Sequence, residues 1–117
     1  MKGETMVDYI NPNNPEYYSE NDSLTIMAAI DAACRLGLRK VKIPRYNART
    51  QKNEWRIPSA IALPDDFTLI LDNCYMVQET GAYDRMFRNS RSEEVPRSLE
   101  TEQHNIAVIG EGNVIYT

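Results

Sequence analysis

Several groups of residues in this 117-residue chain have the types and spacing to do chemistry. Asp65-Asp66 is a pair of adjacent carboxylates, the kind of pair that serves as general acid and base. It lies between Pro64 and Phe67, directly ahead of an apolar alternating segment, where aspartate is favoured because its side chain bonds its own backbone. A turn is therefore expected there. His104 is the single histidine; it lacks flanking glycines and closes a polar stretch, so a solvated imidazole is expected. Gly110-Glu111-Gly112-Asn113 follows an apolar run, as a dinucleotide-binding turn does. That motif needs glycine at its sixth position and a helix beyond it, whereas Ile115 stands there and Val114-Ile115-Tyr116 continues as a strand. A glycine corner between two strands is the reading that remains. Cys34 and Cys74 are too few for a disulfide scaffold and are not spaced like a zinc site, so both read as buried thiols in preference to one disulfide. No metal or cofactor is expected.

The remaining candidate is basic. Residues 35–56 hold eight Arg and Lys, namely Arg35, Arg39, Lys40, Lys42, Arg45, Arg49, Lys52 and Arg56, against the single Glu54, with Tyr46 and Trp55 interleaved. Clustered cations release counterions from phosphate and aromatic rings stack on bases, so nucleic acid is one partner to weigh. The chain as a whole has a net charge of -4 and a pI near 5.0. Lys40 and Lys42 also alternate with Val41 and Ile43, which makes them the outer face of a strand. No nucleic-acid binding is expected. The basic stretch instead reads as a solvated face or one that steers an anionic poly- or oligosaccharide. Arg45, Tyr46 and Trp55 are the expected saccharide contacts, and Tyr17 and Tyr18 have rings that could also stack on sugars.

Residues 1–22, interrupted by two prolines and four asparagines, read as an extended N-terminal arm. Asn21, Asp22 and Ser23 offer N-caps for a helix over about 23–36, ended by Gly37. Its apolar stripe is Ile26, Met27, Ile30, Ala33 and Cys34, with Thr25, Asp31 and Arg35 off it. The period then changes to two. Short strands are expected at Lys40 to Ile43, Ile61 to Leu63, Phe67 to Asp72, Tyr75 to Gln78, Met86 to Arg88, Ile106 to Ile109 and Val114 to Tyr116, with a charged surface loop at about 80–103. Tyr75-Met76-Val77 and Met86-Phe87 read as inward-facing core. The strands are too short for a hairpin meander and lack its two-residue Asn-Gly turns. Short strands recurring at three per roughly 25 residues suit stacked coils of parallel strands, each burying one inward row.

This pattern resembles the N-terminal end of right-handed parallel β-helix proteins of the pectin lyase-like superfamily, most closely the polygalacturonase group, glycoside hydrolase family 28. The helix Ile26 to Ala33, Gly37 and the strand Val41-Lys42-Ile43-Pro44 are similar to the family's capping helix and first strand. Ile61-Ala62-Leu63-Pro64-Asp65-Asp66-Phe67-Thr68-Leu69-Ile70-Leu71 resembles its second stretch, and Glu79-Thr80-Gly81-Ala82 its Gly-Ala corner. Asn105-Ile106-Ala107-Val108-Ile109-Gly110-Glu111-Gly112-Asn113-Val114-Ile115 looks like its N-I-x-I-x-G-x-G-x-I coil. Arg45 departs from the family's usual glycine, and Tyr46 to Trp55 is longer and more basic than usual.

The resemblance implies an all-β solenoid with an N-terminal capping helix. It further implies inverting acid-base hydrolysis of glycosidic bonds by carboxylates on inner strands. The family's Asn-x-Asp, Asp-Asp, Gly-His-Gly and Arg-x-Lys set is missing, so no catalytic residue carries over and the chain alone is expected to be inactive. Such proteins continue for several coils past the point matching Thr117. The remaining coils, or self-association at the open C-terminal edge, are the expected protein partners. A noncatalytic carbohydrate-binding or assembly module, as in phage tail spikes, is the competing expectation. No stretch supplies the roughly 20 apolar residues of a membrane span, and Met1-Lys2-Gly3-Glu4-Thr5 opens no secretory leader. The expected address is cytoplasmic.

Overall fold

A computed structural model of the chain describes residues 8–79, 87–89 and 105–117. It contains a 3-10 turn at Pro15–Tyr17, one helix α1 (Asp22–Arg35), and eight strands. These are β1 (Lys40–Ile43), β2 (Trp55–Ile57), β3 (Ile61–Leu63), β4 (Phe67–Asp72), β5 (Tyr75–Gln78), β6 (Phe87–Asn89), β7 (Ile106–Glu111) and β8 (Ile115–Tyr116).

Asn21 caps α1, its Oδ1 accepting the Leu24 N–H at 2.9 Å, and Asp22 in the first turn and Arg35 in the last lie favourably along the helix dipole. Gly37, at φ 75°, supplies the left-handed residue that turns the chain away. The buried face is Thr25, Ile26, Ala29, Ile30, Ala32 and Ala33 together with Asp22 and Ser23, while Met27 and Cys34 are only half-buried. Thr25 thus lies inside the stripe that excluded it. Its hydroxyl donates to Asn21 O at 2.9 Å and accepts the Ser19 N–H at 3.0 Å, so burial leaves it no unmet polar atom.

All the strand ladders are parallel, and each pairs a strand with the third one after it or before it. One sheet has the order β1-β4-β7, the second β2-β5-β8, and the third β3-β6. The fold is therefore a set of small parallel sheets with one helix, an arrangement compatible with stacked coils. Alternate residues line the interior: Val41 pairs with Leu69 and Leu69 with Val108, Ile43 pairs with Leu71, and Trp55 with Met76. Val41, Ile43, Trp55, Ile57, Ile61, Leu63, Phe67, Leu69, Leu71 and Met76 are buried and form one core with the apolar face of α1. In β5 only Met76 is buried; Tyr75 and Val77 are half-buried on the outer row, because a strand sends alternate side chains to opposite faces.

Strand β2 was not among the expected strands, since Trp55-Arg56-Ile57 follows a polar stretch and is too short to display a period. It lies between β1 and β3 in the chain, and β1, β2 and β3 pair in turn with β4, β5 and β6. The sixth strand is described over Phe87–Asn89, one residue past the expected end at Arg88, while Met86 and the reading of Met86-Phe87 as inward core lie outside what is described; β7 runs two residues further than expected, and β8 starts one later. The rest of the expected loop at 80–103, and His104, lie outside the described residues. Before α1, Ile10 forms a parallel bridge to Val41, its N–H donating to Lys40 O at 2.9 Å and its C=O accepting the Lys42 N–H at 3.0 Å.

Candidate functional site

The loop between β1 and β2 carries Arg45 and Tyr46, two of the expected contact residues, and a buried polar node fixes its path. Asn47 is fully buried. Its backbone N–H donates to Lys52 O at 2.7 Å, its C=O accepts the Gln51 N–H at 2.7 Å, and its Nδ2 donates to Glu54 O at 3.2 Å and to Asp22 Oδ1 at 2.9 Å. Asp22, 3% exposed, also takes Arg49 Nη2 on Oδ1 at 2.8 Å and the Arg56 N–H on Oδ2 at 2.7 Å. A carboxylate can be buried here because both oxygens are bonded, a guanidinium faces it and the helix N-terminus favours negative charge. The loop is consequently tied to α1 and to the start of β2.

The same loop is tied to the N-terminal arm through Asn13. Asn13 Nδ2 donates to Tyr46 O at 2.8 Å, and Asn13 Oδ1 accepts the Ala48 N–H at 2.9 Å. The Tyr18 hydroxyl donates to Asn13 O at 3.1 Å. Two residues carrying exposed rings, Tyr18 at 36% and Tyr46 at 48%, are thus both bonded to Asn13, with exposed Arg45 next in the chain. Amphipathic rings held at a surface beside a cation can stack on a sugar and bond its hydroxyls.

Trp55 is not part of that surface. It is fully buried, and its Nε1–H donates to Pro44 O at 2.8 Å, so its ring is core and its one polar atom is used. Tyr17 is buried as well. The expectation that Trp55 contacts saccharide is corrected: as the first residue of β2 it falls on the inward row, a consequence of a strand the sequence does not reveal.

Most of the basic run is engaged internally. Arg35 pairs with Asp31 at 3.2 Å, Lys40 with Asp8 at 3.4 Å, Lys42 with Glu111 at 3.6 Å, Arg49 with Asp22, and Arg56 with Glu54 at 2.7 Å. The hydrogen bond and charge of Glu54 push the Arg56 guanidinium further up. Lys42 also lies 5.5 Å over the Tyr9 ring. Arg39 donates to the backbone carbonyls of Asp65 and Asp66. Arg45 and Lys52 are in no ion pair among the described residues, so they are the cations of this run still available to an anionic ligand.

The other candidates take structural roles. Asp65 and Asp66 form the bend between β3 and β4, with Asp66 at φ 56° and its Oδ1 accepting Asn105 Nδ2 at 2.9 Å. Gly112, at φ 70°, sits in the corner between β7 and β8 against the Asn73 carboxamide. Both cysteines are free. The buried Cys74 Sγ–H donates to Ile43 O at 2.9 Å, and burial pushes its thiol up to about 12, which makes it a poor nucleophile at neutral pH. Cys34 is half-buried. Among the described residues no group of three metal-ligating side chains converges, and no helix is long and apolar enough to cross a membrane.

Sequence reasoning missed Asn13, Asn47 and Asp22, the residues that hold the surface in place. Nothing local distinguishes Asn47 from the other asparagines; its partners lie 25 residues away in Asp22 and 7 away in Glu54. The chain matches no protein-family model, no curated protein and no solved structure.

Proposed function

We propose that the chain forms the helix-capped opening coils of a right-handed parallel β-helix that engages poly- or oligosaccharide, in the manner implied by its resemblance to polygalacturonase-like glycoside hydrolases. The observation that carries the reading is the ladder pattern. Strands in the segments that bear the resemblance pair in parallel with the third strand on, and α1 packs over β1, β2 and β3 at one end. Parallel strands joined by crossovers are almost always right-handed, which supports the handedness. The ligand surface is Tyr18, Tyr46 and Arg45, with Lys52 adding positive charge suited to an anionic saccharide.

Hydrolysis of the polygalacturonase type needs carboxylates on inner strands. The described inward positions of β1, β2, β4 and β5 include Val41, Ile43, Trp55, Leu69, Leu71 and Met76, and these are apolar. In the hydrolase reading this chain therefore contributes the cap and a binding surface, and bond cleavage belongs to carboxylates on other coils. The apolar interior equally supports the second reading, a noncatalytic carbohydrate-binding or assembly module. The cytoplasmic address remains part of the proposal.

Affinity electrophoresis in gels containing polygalacturonate or a neutral glucan tests it. Retardation by polygalacturonate, reduced in Tyr46→Ala and in Arg45→Ala but not in the Leu24→Ala control, is expected. Equal mobility in both gels would overturn the saccharide reading. Release of reducing ends by the chain alone would overturn the division between cap and catalytic coils.

A further inference from the structure

Asn13 stands between two anchors of the N-terminal arm. On one side Ile10 is bridged to Val41 of β1 and Pro12 is buried; on the other Tyr17 is buried in the core. Asn13 itself is half-buried, and each of its polar atoms is engaged. Its N–H donates to Asn11 Oδ1 at 2.9 Å, and its C=O accepts the Tyr18 hydroxyl at 3.1 Å. Its carboxamide, a donor and an acceptor side by side, bonds Tyr46 O at 2.8 Å and the Ala48 N–H at 2.9 Å. These two loop groups flank Asn47, whose buried side chain holds the loop from within through Asp22 and Glu54. The loop around Tyr46 is therefore fastened twice, by Asn47 to the interior and by Asn13 to the arm.

We propose that Asn13 is a positioning residue for the ligand surface, a latch that ties the loop bearing Arg45 and Tyr46 to the arm bearing Tyr18, so that saccharide binding and closure of the latch are coupled. The inference rests on the saccharide reading above. A loop that must be ordered as its ligand arrives loses affinity to that ordering, and a loop held beforehand does not. The bonds of Asn13 with Tyr46 and Tyr18 are solvent-exposed, and the anchors at Ile10 and Tyr17 do not depend on them, so severing the latch loosens the loop without opening the core. Asn13 acts through the two tyrosines, since its own polar atoms are already engaged with protein. The coupling runs both ways: if the latched surface binds saccharide better than the unlatched one, bound saccharide must favour the latch by the same factor.

Affinity electrophoresis of the full chain in polygalacturonate gels, joined to amide exchange, tests it. Asn13→Ala keeps both rings and Arg45. It should need about five-fold more polygalacturonate for half-maximal retardation, the equivalent of about one net hydrogen bond, with far-UV circular dichroism like that of the parent chain. In a Tyr46→Ala background the same change should cost little further affinity, because the ring it positions is gone. A full further loss there would mark a general structural effect and overturn the positioning role. Amide exchange in the parent chain needs no variant: the Ala48 amide, which donates to Asn13 Oδ1, should gain protection when polygalacturonate is added and not when a neutral glucan is. Unchanged protection would overturn the coupling. Equal retardation of the parent chain and Asn13→Ala would overturn this inference and leave the saccharide reading standing, whereas a parent chain that polygalacturonate does not retard would overturn that reading and this one with it.

Discussion

Asn105 Nδ2 donates to Asp66 Oδ1 at 2.9 Å, and both residues hold left-handed backbone, at φ 55° and 56°, one position ahead of paired strands. Arg39, at φ 54°, stands in the same relation to β1. Each strand of the first sheet is therefore entered through the same backbone conformation, and the Asp66 and Asn105 side chains bond to each other. Aspartate and asparagine tolerate that region because a short polar side chain can bond locally. Asp66→Val should destabilise the fold by about 1–3 kcal/mol, since a β-branched residue is strained there and the bond to Asn105 is lost. Asp66→Gly should cost less than half as much. Urea denaturation of the two variants makes the comparison, and equal losses would show that backbone conformation is not the cause.

The corner between β7 and β8 rests on a second close fit. Asn73 Oδ1 accepts the Asn113 N–H at 2.9 Å, and a Cβ on Gly112 would overlap the Asn73 carboxamide. With φ at 70° as well, Gly112→Ala should lower stability by about 1–3 kcal/mol. Combining it with Asn73→Ala should recover part of the loss by removing the overlap, so the two changes should be non-additive in thermal melts.

Asp22 is the point where the β1–β2 loop, β2 and α1 meet. Asp22→Ala leaves Arg49 without its carboxylate and takes one of the two acceptors of Asn47 Nδ2, and a loss of about 3 kcal/mol is expected, at the low end for a buried pair because the Arg49 side chain keeps 23% exposure. Asp22→Asn should cost less, since its carboxamide oxygen can still accept one of these bonds. If the loop is pinned as described, limited proteolysis of Asp22→Ala should cut first within residues 45–54.

Cys74 gives a pH dependence with a definite sign. Its thiol is raised from 9.0 to about 12 by burial, so the native state holds the proton more tightly than the unfolded chain. The associated stability is complete below about pH 9 and is lost progressively as the pH rises from there through about 12. The urea midpoint should accordingly fall between pH 8 and pH 10.5, the lower side of that window, by less in Cys74→Ala than in the parent. At neutral pH a thiol reagent should modify Cys34 well before Cys74 in the folded chain.

Trp55 separates packing from binding. Trp55→Phe keeps a ring in the core but leaves Pro44 O without its donor and opens a small cavity, for an expected loss of about 1–3 kcal/mol. Its mobility in a polygalacturonate gel should match that of the parent chain at a temperature where both are folded. A selective loss of retardation without loss of stability would return Trp55 to the ligand surface.

Local information in the sequence was enough for those elements whose cause is local. The cap at Asn21, the glycine at 37 and the apolar spacing of Ile26, Ile30 and Ala33 specify α1 through interactions within a few residues. The alternation at Lys40 to Ile43 and at Phe67 to Asp72 marks strands with one dry face, and β3, β4 and β5 begin and end where that pattern does. Asp65-Asp66 reads as a turn because aspartate tolerates bends and left-handed backbone, as Asp66 shows at φ 56°, and that preference is local.

What the sequence could not determine depends on residues brought together from far apart. Trp55 looks like a surface aromatic until β2 pairs with β5 and turns its ring inward. The basic run looks like a cationic patch until Asp8, Asp22 and Glu111, distant in the chain, arrive within 4 Å of its lysines and arginines. Asn13 and Asn47 acquire their roles only from partners across the arm, the loop and the helix. Helix and strand periodicity is written by neighbours three, four or two residues apart, and so it is legible. Charge neutralisation, burial of a ring and the satisfaction of buried polar groups are set by long-range pairing, and only the tertiary structure decides them.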